Sequence, residues 1–539
     1  MKKMLGILLA AALLLSMAAC GNTAKETAEG PTETTAAPET PAETSEASTP
    51  AEGKVDGGTF VMPLSADVKE LISLATNDDN IWQALSPMYD MMWYETGDGT
   101  NFYLAESYDI SDDGLDYTVK LVENAKWHDG EAITADDLIF TLDACQTISN
   151  ANNIVTPNGN AISYEKIDEF TVVIHLATPV SFYSNVLGRV AILPEHVYEG
   201  DPNVIGHEKS NSGIGSGPYK LVEWNKGESL VYTRNEDYYR GTPSLETIIM
   251  KVMPDAAVQE MAMQTGELSM MRITTQEQLD KFSNKEDFNV YSFSECRTNF
   301  LLLRTTGSIF EDAKARQAFA LALNIPEIVE ASFGSETFAS PAASIFTPMT
   351  KYYNPDQTNY EQNLELAKQL AEESGLAGST IRYGYRTDRV GMEAQALMVQ
   401  QQMKEIGVNV ELVAGTFGSG NITNDEQEVK LDLISNGADS LVGDPGTKNG
   451  TFGNSDKAQR NSGFSDEYRA AWNAAITAVD EESRKEAYYD VQALIGDCYC
   501  FIPTSQPNYV FVASSQFGGL DTNQTVMLFQ DYMDLYMVG

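Results

Sequence analysis

Histidine and cysteine are scarce in this 539-residue chain: it has four of the first and five of the second. No two histidines are spaced i,i+4 and no cysteines are spaced C-x-x-C, so an H-E-x-x-H metalloprotease helix, a zinc ribbon and a thioredoxin-like motif are excluded. Positive charge is also short. Thirty-five Lys and Arg face 78 Asp and Glu, a formal net charge of −43, the opposite of what a nucleic-acid surface needs. Catalytic signatures fail as well. There is no G-x-S-x-G elbow, and Ser163-Tyr164-Glu165-Lys166 fits S-x-x-K without a following S-D-N or K-T-G. Asp109 to Gly114 begins like a calcium loop, but its twelfth position is Lys120 rather than Glu. Gly415 to Gly420 lacks the Lys-Ser/Thr of a phosphate loop. The reading is therefore not an enzyme, with no cofactor and no metal site. His128, inside Trp127-His128-Asp129-Gly130, reads as part of a turn.

Only the first residues carry a long apolar run. Lys2 and Lys3 precede Leu5 to Leu15, too short to span a bilayer, and Met17-Ala18-Ala19-Cys20 closes the segment. This pattern resembles the bacterial lipoprotein signal, in which cleavage leaves Cys20 to carry lipid; the usual Leu is replaced by Met17. Two or more acyl chains anchor a protein stably to a membrane. Residues 21–54 are almost wholly Thr, Glu, Ala, Pro, Ser and Gly. They cannot bury enough apolar area to offset their ordering entropy and read as a disordered tether. The leader carries +2 and the tether −5, which leaves −40 on the body. No later segment has eighteen uninterrupted apolar residues, so the body reads as soluble.

The body, from about 55 to 539, is too long for one core. Asp113-Gly114 predicts a hairpin turn between Tyr108 and Gly130, and Thr134-Ala135-Asp136-Asp137 a helix start. A strand is expected at Phe170 to Leu176. Asn363 to Glu373 predicts a helix stopped by Gly375, and Thr380 to Tyr385 a strand. Met392, Ala396, Val399, Met403 and Ile406 share one helical face, and Val408, Val410 and Leu412 the apolar side of a strand. Such alternation implies crossover units and parallel pairing, hence α/β architecture in more than one lobe. Cys145, Cys296, Cys498 and Cys500 have no pairing that the sequence decides.

Several stretches, taken in order, resemble one family. They are Gly57-Gly58-Thr59-Phe60, Leu104 to Tyr108 with Ser111-Asp112-Asp113-Gly114, and Lys126 to Gly130 with Thr134 to Phe140. Gly215 to Tyr219, Arg234 to Tyr239, Ala315 to Asn324 and Pro503 to Val510 follow. Over roughly 55–515 the chain is similar to the family 5 bacterial extracellular solute-binding proteins, the peptide- and nickel-binding components of ABC importers. The resemblance implies a periplasmic-binding-protein-like type II fold (cluster C), α/β, three-lobed, with mixed sheets and a hinge between two main lobes. Domain I would take 55–93, 214–308 and 508–539, domain II 94–213, and domain III 309–507.

The same resemblance implies a site between domains I and III. Ser435 to Pro445 corresponds to the family's ammonium-binding loop, without its tryptophan and two residues longer, and places Asp439 as the anchor for a peptide ammonium, with Asp444 the alternative. Arg386 or Arg389, just after the strand at 380–385, would meet a carboxylate. Buried charges need such partners, since an unpaired one is costly. The function implied is capture of short peptides by a monomeric lipoprotein and delivery to an ABC permease and its ATPase subunits. It would sit on the outer face of the cytoplasmic membrane, or in the periplasm where an outer membrane exists. A signalling receptor of the same fold, or one for a metal chelate, opine or oligosaccharide, is the alternative.

Overall fold

The computed structural model describes residues 53–539 apart from 73, 75–77, 97–98, 358–359, 418–429, 440–441, 454–463 and 522–530. Cys20 and the tether lie outside the described residues. Residues 51–539 form one compact unit.

Three of the five sheets among the described residues organise it. In the first, Thr59–Leu64 runs parallel to Thr247–Val252, which continues antiparallel through Ser229–Arg234 to Tyr219–Asn225. Segments nearly 190 residues apart in sequence are thus joined in one sheet. The second sheet is antiparallel and lies wholly within 94–213, in the order Ala105–Ile110, Asp116–Leu121, Thr171–His175, Ser163–Lys166. Asp109 of the calcium-like stretch is a strand residue here. Lys166 of the S-x-x-K match lies in the last of these strands and pairs with Asp136 at 2.7 Å. Thr134 caps the helix Ala135–Thr147: its hydroxyl accepts from Asp136 N, while Asp137 accepts from Thr134 N at 2.9 Å.

The third sheet positions the site. Its path is Met270–Ile273, Phe501–Ser514, Thr298–Leu303, Leu433–Ala438, Thr380–Arg386, Asn409–Gly415. The last three pair in parallel, and the helix Met392–Lys404 connects Thr380–Arg386 to Asn409–Gly415, as the helix–strand alternation predicts. Asn363 caps the preceding helix Leu364–Ser374, and Gly375 ends it with φ 75°, a conformation that glycine adopts without a Cβ penalty. Phe501–Ser514 is 14 residues long and changes partners along its length, with Ser505 to Pro507 also paired to Ala339–Pro341. Phe501 to Ser505 pair with Thr298–Leu303, whereas Asn508 to Ser514 pair with Phe288–Ser294 and Met270–Ile273. The expected boundary between 507 and 508 therefore falls inside one strand. Thr298–Leu303, ahead of the expected boundary at 308, is bonded to strands of the 309–507 segment.

Thr298–Leu303 is buried at all six positions, with the sequence TNFLLL. A strand covered on both faces is apolar without alternation. Cys145, Cys296, Cys498 and Cys500 are all buried free thiols. His128 clasps another segment: Gly215 N donates to its Nδ1 at 3.1 Å, and its Nε2 lies 3.0 Å from Gly217 O. Only the neutral ring can accept at one nitrogen and donate from the other. Burial drives its pKa down to about 4.

Candidate functional site

The strand Leu433–Ala438 ends at the antiparallel pair Thr298↔Ala438, which sets Arg297 beside Asp439 across 142 residues of sequence. Arg297 Nη1 donates to Asp439 Oδ1, and its Nε to Asn299 Oδ1 at 2.7 Å. Asn299 Nδ2 in turn donates to Ser505 Oγ at 2.9 Å, tying the pair to the long strand. Gly437 makes the approach possible, because a Cβ there would overlap the Arg297 guanidinium. The side chains differ in access: Arg297 is 5 % exposed and Asp439 42 %. One end of the pair is thus fixed and the other reaches solvent.

Burial raises the Asp439 pKa, but Arg297, Arg389 and Lys448 outweigh it, so the carboxyl is held below its ordinary value. It stays ionised. Lys448 is pushed down to about 8 by burial and Arg189, against the pull of Asp439. Packing of Tyr94, Cys296 and Val442 in one small cluster brings these segments together. From another segment, Asp79 opens the helix Asp79–Leu85. Burial raises its pKa, Arg389 opposes that, and the Asp439 charge raises it further. Carboxylates on two segments far apart in sequence therefore share one field.

The arginines after the strand Thr380–Arg386 part company. Arg386 is committed to Asp388, with Nε to Oδ1 at 2.9 Å and Nη2 to Oδ2 at 2.5 Å, a two-pronged fork. Arg389 makes no such pair among the described residues, and its buried Nε has no hydrogen-bond partner. It lines a cavity of about 90 Å³ with Arg272, Arg297, Phe333, Phe338 and Met392, at the place where the long strand changes partners.

Asp444 has a different task from the one the sequence suggested. It is 3 % exposed, and its Oδ1 accepts from Gly446 N at 2.8 Å and from Tyr488 OH at 2.6 Å. Asn185 Oδ1 receives the Asp444 backbone N–H at 2.6 Å. Asp444 is a cap and latch inside the protein, closed to a ligand. Among the described residues no group of three His, Cys, Asp or Glu could hold a metal ion, and no helix is long and apolar enough to cross a membrane.

Sequence reasoning overlooked Arg297, Arg272 and Asp79. Arg297 carries a faint signal, since it lies two residues before Asn299 and so shares its strand face. Asp78-Asp79 before Ile81, Ala84 and Leu85 is a helix-start pattern. Arg272 carries none.

Comparison with known proteins agrees with this architecture. The model of the bacterial extracellular solute-binding proteins, family 5, matches residues 102–460. The oligopeptide-binding protein AppA of Bacillus subtilis is 28 % identical over 378 residues, covering 66 % of this chain and 68 % of that one. A putative ABC transporter peptide-binding protein of Brucella ovis is 29 % identical over 316 residues, and the match spans 59 % of its length. Among solved structures, the ABC transporter substrate-binding protein CtaP of Listeria monocytogenes superposes with a TM-score of 0.82 at 30 % identity. It covers 90 % of this chain and 100 % of its own. A putative peptide-binding protein AppA from Clostridium difficile gives 0.79 at 30 % identity, with 85 % and 96 % covered. The chain belongs to the bacterial extracellular solute-binding proteins of family 5.

Proposed function

We propose that this protein captures short peptides outside the cell and passes them unaltered to the permease and ATPase subunits of an ABC importer. The observation that carries the reading is Asp439: a carboxylate kept ionised, half open to solvent and fixed from behind by a buried arginine. Such a group suits a peptide ammonium, which enters without the protein having to rearrange around it. Arg389, with a buried N–H unmatched, suits the carboxylate at the other end. Arg386 is spent on Asp388, and Asp444 on Gly446 and Tyr488, so neither has that part.

The two chain crossings, 295–297 and 505–507, are the hinge in this reading. Both carry the backbone from the 270–294 side of the sheet to the 298–303 side, and a rotation there closes one lobe on the other. Lipid on Cys20 and the tether of 21–54 hold the receptor near its permease while leaving it free to turn.

Isothermal titration with tripeptides of free termini tests this. Saturable 1:1 binding with the peptide recovered whole is expected. Absence of binding across a mixed tripeptide library, or recovery of cleaved product, would refute it.

A further inference from the structure

Carboxylates far outnumber cations in this chain, yet around Asp439 the balance is reversed. Two segments meet there. Asn185, in the helix Tyr183–Gly188, receives the Asp444 backbone N–H at 2.6 Å, and a Cβ at Gly443 or Gly446 would run into Asn185 or Phe182. Helix and turn Pro445–Lys448 are thus in close contact. Arg189 follows the end of that helix and Lys448 ends the turn, so the packing delivers both cations to one place. The charges that act on Lys448 are those of Arg189, Arg297 and Asp439.

Neither cation is matched. Asp439 gives its Oδ1 to Arg297, and among the described residues no carboxylate lies within ion-pair distance of Arg189 or Lys448. Arg189 lies over the ring of buried Tyr94, 4.8 Å from its centroid, and donates Nη2 to the Tyr94 hydroxyl at 3.2 Å. The ring holds the guanidinium flat, and its other N–H groups make no hydrogen bond among the described residues. Burial and Arg189 hold Lys448 down to about 8, and a carboxylate placed beside it would restore its full charge.

The charge balance points the same way. Arg189, Arg297, Arg389 and Lys448 stand against Asp439 and Asp79, four positive charges against two carboxylates. Glu295 and Asp388 do not alter this, being matched by Arg272 and Arg386. A peptide with one ammonium and one terminal carboxylate brings no net charge, so the excess persists when it binds. Uncompensated charge in a closing cleft is costly, and a ligand that carries a further carboxylate removes that cost.

We propose that Arg189 and Lys448 form a subsite for an acidic side chain on the ligand's first residue, next to the ammonium that Asp439 holds. This rests on the peptide reading above and narrows the preferred substrates to peptides that begin with Glu or Asp. In an extended peptide successive side chains point to opposite sides, so the second side chain faces away from the pair.

Isothermal titration on the whole chain without its leader compares Glu-Ala-Ala with Gln-Ala-Ala, and Ala-Glu-Ala with Ala-Gln-Ala. Glu-Ala-Ala should bind about tenfold more tightly than Gln-Ala-Ala, as one charge-assisted hydrogen bond would give. The second pair should differ by less than about threefold. In Lys448→Gln and in Arg189→Gln the preference at the first residue should fall below about threefold, whereas Lys448→Arg, which keeps the charge, should retain it. Circular dichroism melting curves matching the parent show which variants are folded, and either Gln variant suffices. Equal affinity for Glu-Ala-Ala and Gln-Ala-Ala overturns the subsite and leaves the receptor reading standing. So does an equal acidic preference at both positions, or one that survives in the Gln variants, or failure of all four peptides where others of the tripeptide library bind. If the whole library is silent, both fall.

Discussion

Replacing Asp439 by Asn removes a charge while keeping the shape, and the amide oxygen can still accept from Arg297. The fold should hold. What is lost is the attraction for a ligand ammonium. Unit charges about 4 Å apart in an effective dielectric of about 20 attract by about 4 kcal/mol, which sets a ceiling. The real value is lower, because Asp439 is 42 % exposed and three cations already share its field. A charge-assisted hydrogen bond at a site of this kind contributes about 1.5–3 kcal/mol, so the dissociation constant should rise about 10- to 150-fold. Titration of Ala-Ala-Ala and N-acetyl-Ala-Ala-Ala into both proteins reads this out. The parent should discriminate strongly against the acetylated peptide and the variant hardly at all. A variant that binds the free peptide within threefold of the parent, or that discriminates as the parent does, refutes the assignment.

Three further outcomes follow from the geometry. Gly437→Ala puts a methyl group into the Arg297 guanidinium; overpacking of this sort costs about 1–3 kcal/mol and should lower the melting temperature and peptide affinity together, and parental values for both would show that Arg297 is not held as described. His128 is neutral in the fold, with a pKa of about 4 against 6.5 when unfolded. The unfolded chain binds the extra proton, so the contribution is whole above pH 6.5 and is lost as pH falls toward 4, about 3 kcal/mol in all; in urea melts His128→Gln should lose correspondingly less stability than the parent between pH 7 and 4.5, and equal losses contradict this. Cys20→Ser should abolish labelling by radioactive palmitate and release the protein from membranes, whereas unchanged retention would remove the anchor.

Local pattern made much of the second half legible. The face shared by Met392, Ala396, Val399 and Met403 is the buried side of a helix, and Thr134 and Asn363 cap where their chemistry directs. Gly375 and Gly407 have the positive φ that their helix-stopping positions require. The site was legible only in part, for a physical reason. What decides which carboxylate and which arginine remain available for a ligand is pairing across the fold. Arg386 looked as suitable as Arg389 until Asp388, two residues on, closed a fork on it. The Asp444 carboxylate is taken up by the hydroxyl of Tyr488, 44 residues away in sequence. Arg297 owes its place beside Asp439 to the register of strands 142 residues apart in sequence.

The central claim is that this protein encloses one short peptide, neutralises both of its ends and breaks no bond in it. Native mass spectrometry after overnight incubation with Ala-Ala-Val tests that most directly. One adduct per chain with the mass of the intact tripeptide, lost when Asp439→Asn and Arg389→Gln are combined, is the predicted result. An unliganded chain, or an adduct with the mass of a fragment, would contradict it.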